Sequence, residues 1–187
     1  LPQHRPVMNE LDNKVAIITG ASKGIGKSIA IRFAAEGCRV VLVSRTESAL
    51  QQVAQEIEEQ GGIALAYAAD VTDPVDVNQV VERTISEFGQ VDILVNNAAV
   101  IHPVINVVDF ELVEWERIIT GNLTSVFLMS RAVLPQLIKQ QSGHIINVSS
   151  IGGRRGGKGR SAYRASKAAL INFTETLAAE VCEQGIL

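Results

Sequence analysis

The sequence predicts an open α/β domain built on a mostly parallel sheet, and three observations carry that expectation. Short runs rich in Val, Ile and Ala alternate with amphipathic stretches along the whole chain. The apolar runs lack the in-out alternation of half-exposed strands, as expected where helices cover both faces of a sheet. A glycine-rich turn joins the first apolar run to the first amphipathic stretch.

Taken in order, KVAIITG (14–20) reads as a buried strand, and residues 24–36 as a helix with Ile25, Ile29, Ala30 and Phe33 on one face. RVVLVS (39–44) is a second strand, and ESALQQVAQEIEEQGG (47–62) a helix closed by glycines. IALAYAAD (63–70) is a third strand. Pro74 opens the next helix, which runs to Phe88, near the first position that proline favours. VDILVNNA (91–98) is the fourth strand, residues 109–141 form one long helix, and HIINVSS (144–150) is the fifth strand. The last helix spans 161–184, with Ser161 as its N-cap. Such βαβ units take right-handed crossovers. One domain, 12–187, is expected after an N-terminal extension, 1–11, in which Met8 reads as a natural start.

Composition excludes several function classes. A chain of 187 residues that is 47% hydrophobic can bury a core of Val, Ile, Leu and Ala. A formal charge of −3 gives no pull toward nucleic acid or membrane, and basic residues cluster only in one short loop without aromatics. No apolar run approaches the roughly 20 residues of a membrane span, and LPQHRPVMNE lacks a secretory core. Cys38 and Cys182 lie far apart without metal-ligand spacing, and read as reduced packing residues of a cytoplasmic protein.

The turn TGASKGIG (19–26) has the chemistry of an anion site. Gly20, Gly24 and Gly26 permit close backbone approach, and the helix that follows points free N–H groups at a phosphate. Gly20, Ser22, Lys23, Gly24, Ile25 and Gly26 are therefore candidate cofactor contacts; a plain tight turn is the alternative. The spacing is G-x-x-x-G-x-G, unlike the commoner dinucleotide fingerprint G-x-G-x-x-G. An NAD-selective fold places an acid at the end of the second strand, whereas this chain has Ser44 followed by Arg45. A small neutral residue leaves room for a 2′-phosphate and a guanidinium binds one, with Lys23 as a second cation. The expected cofactor is NADP(H), favoured over NAD(H). Asp70 and Val71, ending the third strand, suit the adenine edge, and Asn97 and Ala98 end the fourth strand at the same sheet edge.

Tyr163 and Lys167 are four residues apart, on one face of the last helix near its start. An ammonium and a positive helix end both favour phenolate, which is what acid–base chemistry on a carbonyl needs. Ser150 ends the fifth strand, where its hydroxyl can hold a substrate oxygen. Asn122, a polar residue within a helix, can anchor a water beside Lys167. The alternatives are an amphipathic Tyr163 with a solvated Lys167, a Ser150 that only caps a turn, and an Asn122 that is only a buried hydrogen-bonding residue.

In this order and spacing, TGASKGIG, Asp70-Val71, NNAA (96–99), Asn122, NVSS ending at Ser150, and YRASK (163–167) resemble the short-chain dehydrogenase/reductase family. The resemblance covers residues 12–187. It implies a Rossmann-type, doubly wound parallel sheet ordered 3-2-1-4-5 and hydride transfer to or from a nicotinamide. It also implies an Asn122-Ser150-Tyr163-Lys167 tetrad, in which Tyr163 is the acid/base and Ser150 polarises the carbonyl. Lys167 holds the ribose and lowers the tyrosine pKa, and Asn122 holds a relay water. The chain is similar within the family to 3-oxoacyl-(acyl-carrier-protein) reductases and NADPH-dependent carbonyl reductases. A homo-oligomer, dimer or tetramer, is implied through the 109–141 helix and the final helix.

Three departures qualify what the family implies. Ala99 replaces the usual glycine of NNAG. The chain ends at GIL (185–187), without the sixth and seventh strands of the family, so it is expected to be part of a longer protein; on its own it would expose the outer face of the fifth strand and the apolar side of the last helix. The loop IGGRRGGKGRSA carries Arg154, Arg155, Lys158 and Arg160 without an acid, and suits an acidic or carrier-linked carbonyl or alcohol substrate as well as it suits a merely solvated loop. Against the carrier reading, Gln141 and Ala179 stand where ketoacyl reductases carry arginines. A nucleotide-binding or regulatory protein without catalysis, or a purely structural subunit, are the alternatives to an enzyme.

Overall fold

Five β-rich runs form one parallel sheet in the computed structural model, which describes residues 11–187. The strands are β1 (Val15–Thr19), β2 (Arg39–Ser44), β3 (Ile63–Ala68), β4 (Ile93–Asn96) and β5 (His144–Asn147), in the order β3-β2-β1-β4-β5. β1 lies at the centre, with Ile17 opposite Val41 on one side and Leu94 on the other. Of the expected N-terminal extension only Leu11 lies within the described residues; Met8 lies outside them.

Two helical layers follow from strand alternation. Ile17, Val41, Val43 and Leu94 point to one face, which α3 (Pro74–Phe88), α5 (Ser125–Gln140) and α6 (Ser161–Val181) cover with Val77, Val80, Met129, Val133 and Leu177. Ala16, Ile18, Val40 and Leu42 point to the other, covered by Ala30 and Ala34 of α1 (Gly24–Ala35) and Leu50, Val53 and Ile57 of α2 (Glu47–Glu59). α3 starts as its sequence dictates: Asp73 accepts from the Val75 N–H at 2.7 Å with Pro74 in the first turn, and Gly89 closes the helix at φ 79°.

The expected long helix 109–141 is broken into pieces. A 3₁₀ turn at Val107–Asp109 precedes α4 (Leu112–Ile119), and a π-helical turn, Thr120–Thr124, joins α4 to α5. The extra residue is held by one tertiary and one local contact: the Asn122 amide exchanges hydrogen bonds with the Val100 backbone, and within the helix Ser125 Oγ donates to Gly121 O at 2.8 Å. Helical geometry nevertheless continues from Leu112 to Gln140, 29 residues. By length and apolarity this run meets the requirement of a membrane span, contrary to expectation, yet its Ile118, Val126, Met129, Val133 and Leu137 are buried within the fold.

One further expectation is corrected. Ser161 is the first residue of α6 and not its N-cap; Arg160 occupies the cap position and makes no side-chain cap bond. The outer edge of β5 is partly covered, because Ile145 N donates to Leu187 O at 2.7 Å and Leu187 N to Gly143 O at 3.0 Å, while Ile186 is buried in the core. Gly185, at φ 73°, makes the turn that returns the chain to this edge.

Both cysteines are free: Cys38 buried, Cys182 exposed. Burial first, and the charge of Asp92 second, push the Cys38 thiol up to about 12. A thiol that holds its proton more tightly when folded stabilises the fold below its ordinary value of 9.0, and that contribution is lost as pH rises through about 12. Iodoacetamide at pH 8 will therefore alkylate Cys182 in the native protein and reach Cys38 only after denaturation, as peptide mass mapping will read; equal labelling would contradict the packing of Cys38.

Candidate active site

The glycine turn after β1 rests on the end of β4. Asn97 Nδ2 donates to Thr19 O at 3.0 Å and Gly20 O at 3.3 Å, and the N–H groups of Asn97 and Ala98 both donate to Thr19 Oγ1 at 3.0 Å. Gly26 is packed so closely that a methyl group there would strike the Gly20 carbonyl and lie 2.5 Å from Asn97 Nδ2. Gly24 is the opposite case: at φ 56° it adopts a left-handed conformation and faces open space. α1 begins at Gly24 with no acid in its first turn and no side-chain cap from Lys23, which leaves its first N–H groups toward solvent. Lys23 and Ile25 are exposed and Ser22 half-buried around this opening.

The next two strand ends bring Ser44, Arg45, Asp70 and Val71 to the same carboxyl edge. Ser44 Oγ is buried without a hydrogen-bond partner, and Arg45 beside it is exposed. The Asp70 carboxylate is held below its ordinary range, first by the Thr72 hydroxyl at 2.7 Å, with the Thr72 N–H at 2.9 Å and the Arg45 charge adding to it. Both Thr72 bonds end on Oδ1, so Oδ2 is left as a free acceptor at the crevice. Val71 packs half-buried against the core.

The last strand end and α6 supply the remaining group. Lys167 is 3% exposed, and its ammonium donates to Val148 O at 2.8 Å. Burial lowers its pKa below the ordinary lysine value. Ser150 Oγ accepts from Gly152 N at 3.0 Å, which leaves the hydroxyl proton free. Three side chains border Gly152, since a methyl there would lie 3.4 Å from Arg164 Cγ, 3.4 Å from Ser150 Oγ and 3.6 Å from Tyr163 Cε1. Asn122 is fully buried, and its contacts are with Val100 and Ser166, not with Lys167. Oδ1 accepts from Val100 N at 2.7 Å, while Nδ2 donates to Val100 O at 3.0 Å and Ser166 Oγ at 3.1 Å. Ser166 Oγ in turn donates to Tyr163 O at 2.8 Å.

Sequence reasoning did not single out Thr19, Ser166 or His102. Thr19 and Ser166 lie inside the motifs TGASKGIG and YRASK, and a hydroxyl among small residues at a strand end or early in a helix is the signal that could have marked them.

An open parallel sheet whose crevice forms where strand order reverses is the Rossmann-type architecture. A sequence profile described as short chain dehydrogenase matches residues 14–187, and the chain belongs to that family. It is 39% identical over 180 residues to the 3-oxoacyl-(acyl-carrier-protein) reductase of Synechocystis, covering 96% of this chain and 72% of that protein. Identity to the Escherichia coli reductase of the same description is 40% over 176 residues, 94% of this chain and 70% of that one. Among solved structures, a metagenomic short-chain oxidoreductase in complex with NADP matches with a TM-score of 0.91 at 35% identity, over 94% of this chain and 80% of that one. NAD+-bound xylitol dehydrogenase matches with a TM-score of 0.92 at 34% identity, over 95% and 68%. These two neighbours hold different nicotinamides, so the choice between them rests with this chain's own residues.

Replacing Asn122 by Leu removes three hydrogen bonds and strands both backbone groups of Val100. The expected cost is about 2–4 kcal/mol of unfolding free energy, read by urea denaturation; a loss under about 0.5 kcal/mol, the range of ordinary surface changes, would mean that these bonds do not hold the site together.

Proposed function

We propose that this chain is an NADP(H)-dependent oxidoreductase acting on a ketone or secondary alcohol, with Tyr163 as acid/base. The observation that carries the reading is that Ser150 Oγ and the Tyr163 ring both border Gly152, with the buried Lys167 one helical turn after Tyr163. The residues at the crevice fit a dinucleotide. Gly20 and Gly26 form a floor that admits no side chain, Gly24 faces open space, and the buried Ser44 hydroxyl awaits a partner. When bound, NADP(H) supplies or accepts the hydride.

The α1 N-terminus, with Gly20, Ser22, Lys23, Gly24, Ile25 and Gly26, would hold the pyrophosphate, and Arg45 with Ser44 the 2′-phosphate. Asp70 and Val71 would meet the adenine, Asn97 and Ala98 would support the nicotinamide side, and Lys167 would take the ribose hydroxyls. In the reductive direction the Ser150 hydroxyl donates a hydrogen bond to the carbonyl oxygen. Tyr163 O–H then gives that oxygen its proton as the carbon is reduced; oxidation of an alcohol reverses both steps. Asn122 keeps the Tyr163 segment in place through Ser166.

Arg154, Arg155 and Lys158 are exposed and, among the described residues, take part in no ion pair. This supports an anionic or carrier-linked substrate, in keeping with what the two bacterial reductases are named for. The α5–α6 groove, with Phe127 and Ile138 exposed beside Leu134 and Phe173, suits a second copy of the chain in a dimer or tetramer. Two free thiols suit a reducing, cytoplasmic compartment.

Parallel fluorescence titration with NADPH and NADH tests the cofactor. NADPH is expected to bind at least about tenfold more tightly, with the preference lost in Arg45→Ala; equal binding, or a preference untouched by that substitution, would refute the 2′-phosphate assignment. Tyr163→Phe is expected to lower kcat on a carbonyl substrate by about 10²–10⁴-fold while NADPH affinity holds; retained turnover would remove Tyr163 as the acid/base.

A further inference from the structure

We propose that His102 is the positioning residue of Tyr163, supplying from the loop after β4 the N-terminal cap that α6 does not make for itself; the catalytic part of this rests on the assignment of Tyr163 as acid/base. α6 begins at Ser161, and the Arg160 guanidinium at the cap position has no acceptor to offer. Ser161 Oγ is buried without a partner, so it does not fold back to serve the helix. The Arg164 N–H bonds Arg160 O at 2.9 Å, which leaves the Tyr163 N–H, third in the helix, among the orphan donors of a helix start. An N-cap side chain ordinarily serves that position. Here His102 Nε2 accepts it, at 3.4 Å, from sixty-one residues earlier in the chain.

The tautomer follows from the other ring nitrogen. Nδ1 lies 2.6 Å from Pro103 O, which can only accept, so Nδ1 carries the proton and Nε2 the lone pair. The imidazole is 2% exposed and has little room to turn. The Phe110 ring packs edge-on to it at 4.7 Å, and the Arg160 guanidinium donates to the His102 carbonyl. The Ile105 N–H, bonded to Gly159 O at 3.1 Å, ties the same loop to the approach of α6.

Tyr163 is thereby gripped at both ends of its backbone: His102 takes its N–H, and Ser166, itself held by Asn122, bonds its C=O. The phenol swings from a main chain that the loop after β4 and the π-helical turn hold between them. Misplacement of a reacting group by about 1 Å costs on the order of 100-fold in rate, so this grip bears on turnover without touching substrate or cofactor.

The experiment needs the tautomer, the amide and the rate. Long-range ¹H–¹⁵N spectra of the unsubstituted protein are expected to show His102 protonated at Nδ1 and bare at Nε2; the opposite tautomer overturns the proposal without recourse to any variant. In His102→Leu, which fills the space without an acceptor, the Tyr163 amide is expected to exchange with solvent at least about tenfold faster, while amides beyond the first turn of α6 are unchanged. His102→Gln, whose carbonyl oxygen replaces Nε2, is expected to restore protection. In turnover by the protein, kcat falls about 10- to 100-fold in His102→Leu with KM and NADPH affinity within about threefold, and recovers in His102→Gln. Unchanged Tyr163 protection in His102→Leu sinks the proposal. If the amide and tautomer results hold while the unsubstituted protein neither binds NADPH nor turns over a carbonyl, the cap stands and the acid/base assignment falls.

Discussion

The site depends on a clamp between β1 and β4. Four hydrogen bonds join Thr19 and Gly20 to Asn97 and Ala98, at the point where the sheet turns from β1 outward to β2 and β3 on one side and to β4 and β5 on the other. Loops diverge there to opposite faces, and the crevice between them is where open α/β sheets take ligands. The clamp also makes Gly26 necessary, since Asn97 and the Gly20 carbonyl fill the space a side chain would need. One polar junction thus shapes the glycine turn, aims the N-terminus of α1 and aligns the end of β4 with the sites on β5 and α6.

The energetic burden of the site falls on Lys167. Lys167 is 3% exposed as a residue, and its ammonium donates to one backbone carbonyl, a thin return for the water the group has lost. Burial depresses its pKa, so the native state carries a penalty while the lysine is protonated, and stability rises as pH climbs through the depressed folded value toward the ordinary 10.5. A fold tolerates such a group where ligand chemistry requires it. Ribose oxygens and a phenolate beside it would supply the missing partners, which ties a stability cost to the proposed reaction.

Much of this was legible in the sequence because it is local or periodic. The five strands, their parallel sense, the Pro74 helix start and the glycine turn each follow from spacing and residue type, whereas the strand order was implied only by the family resemblance; the strand ends bring Ser44, Asp70, Asn97 and Ser150 to one edge. What could not be read depends on contacts distant in sequence. The π-helical turn exists because Asn122 reaches Val100, and nothing in the pattern of TGNLTSVF distinguishes it from a regular helix. Ser161 has the residue type of a cap, yet the donor it would serve is taken by His102, sixty-one residues upstream of Tyr163. Ile186 and Leu187 look like a chain end, and only the folded β5 gives them an edge to pair with.

The most direct test of the account is amide chemical-shift mapping of the chain as NADPH is added. The account predicts perturbations grouped at Gly20–Gly26, Ser44–Arg45, Asp70–Val71 and Asn97–Ala98, with α5 and the outward face of α6 unmoved. Shifts confined to the α5–α6 groove, or none at saturating cofactor, would contradict the assignment of this sheet edge as the nicotinamide site.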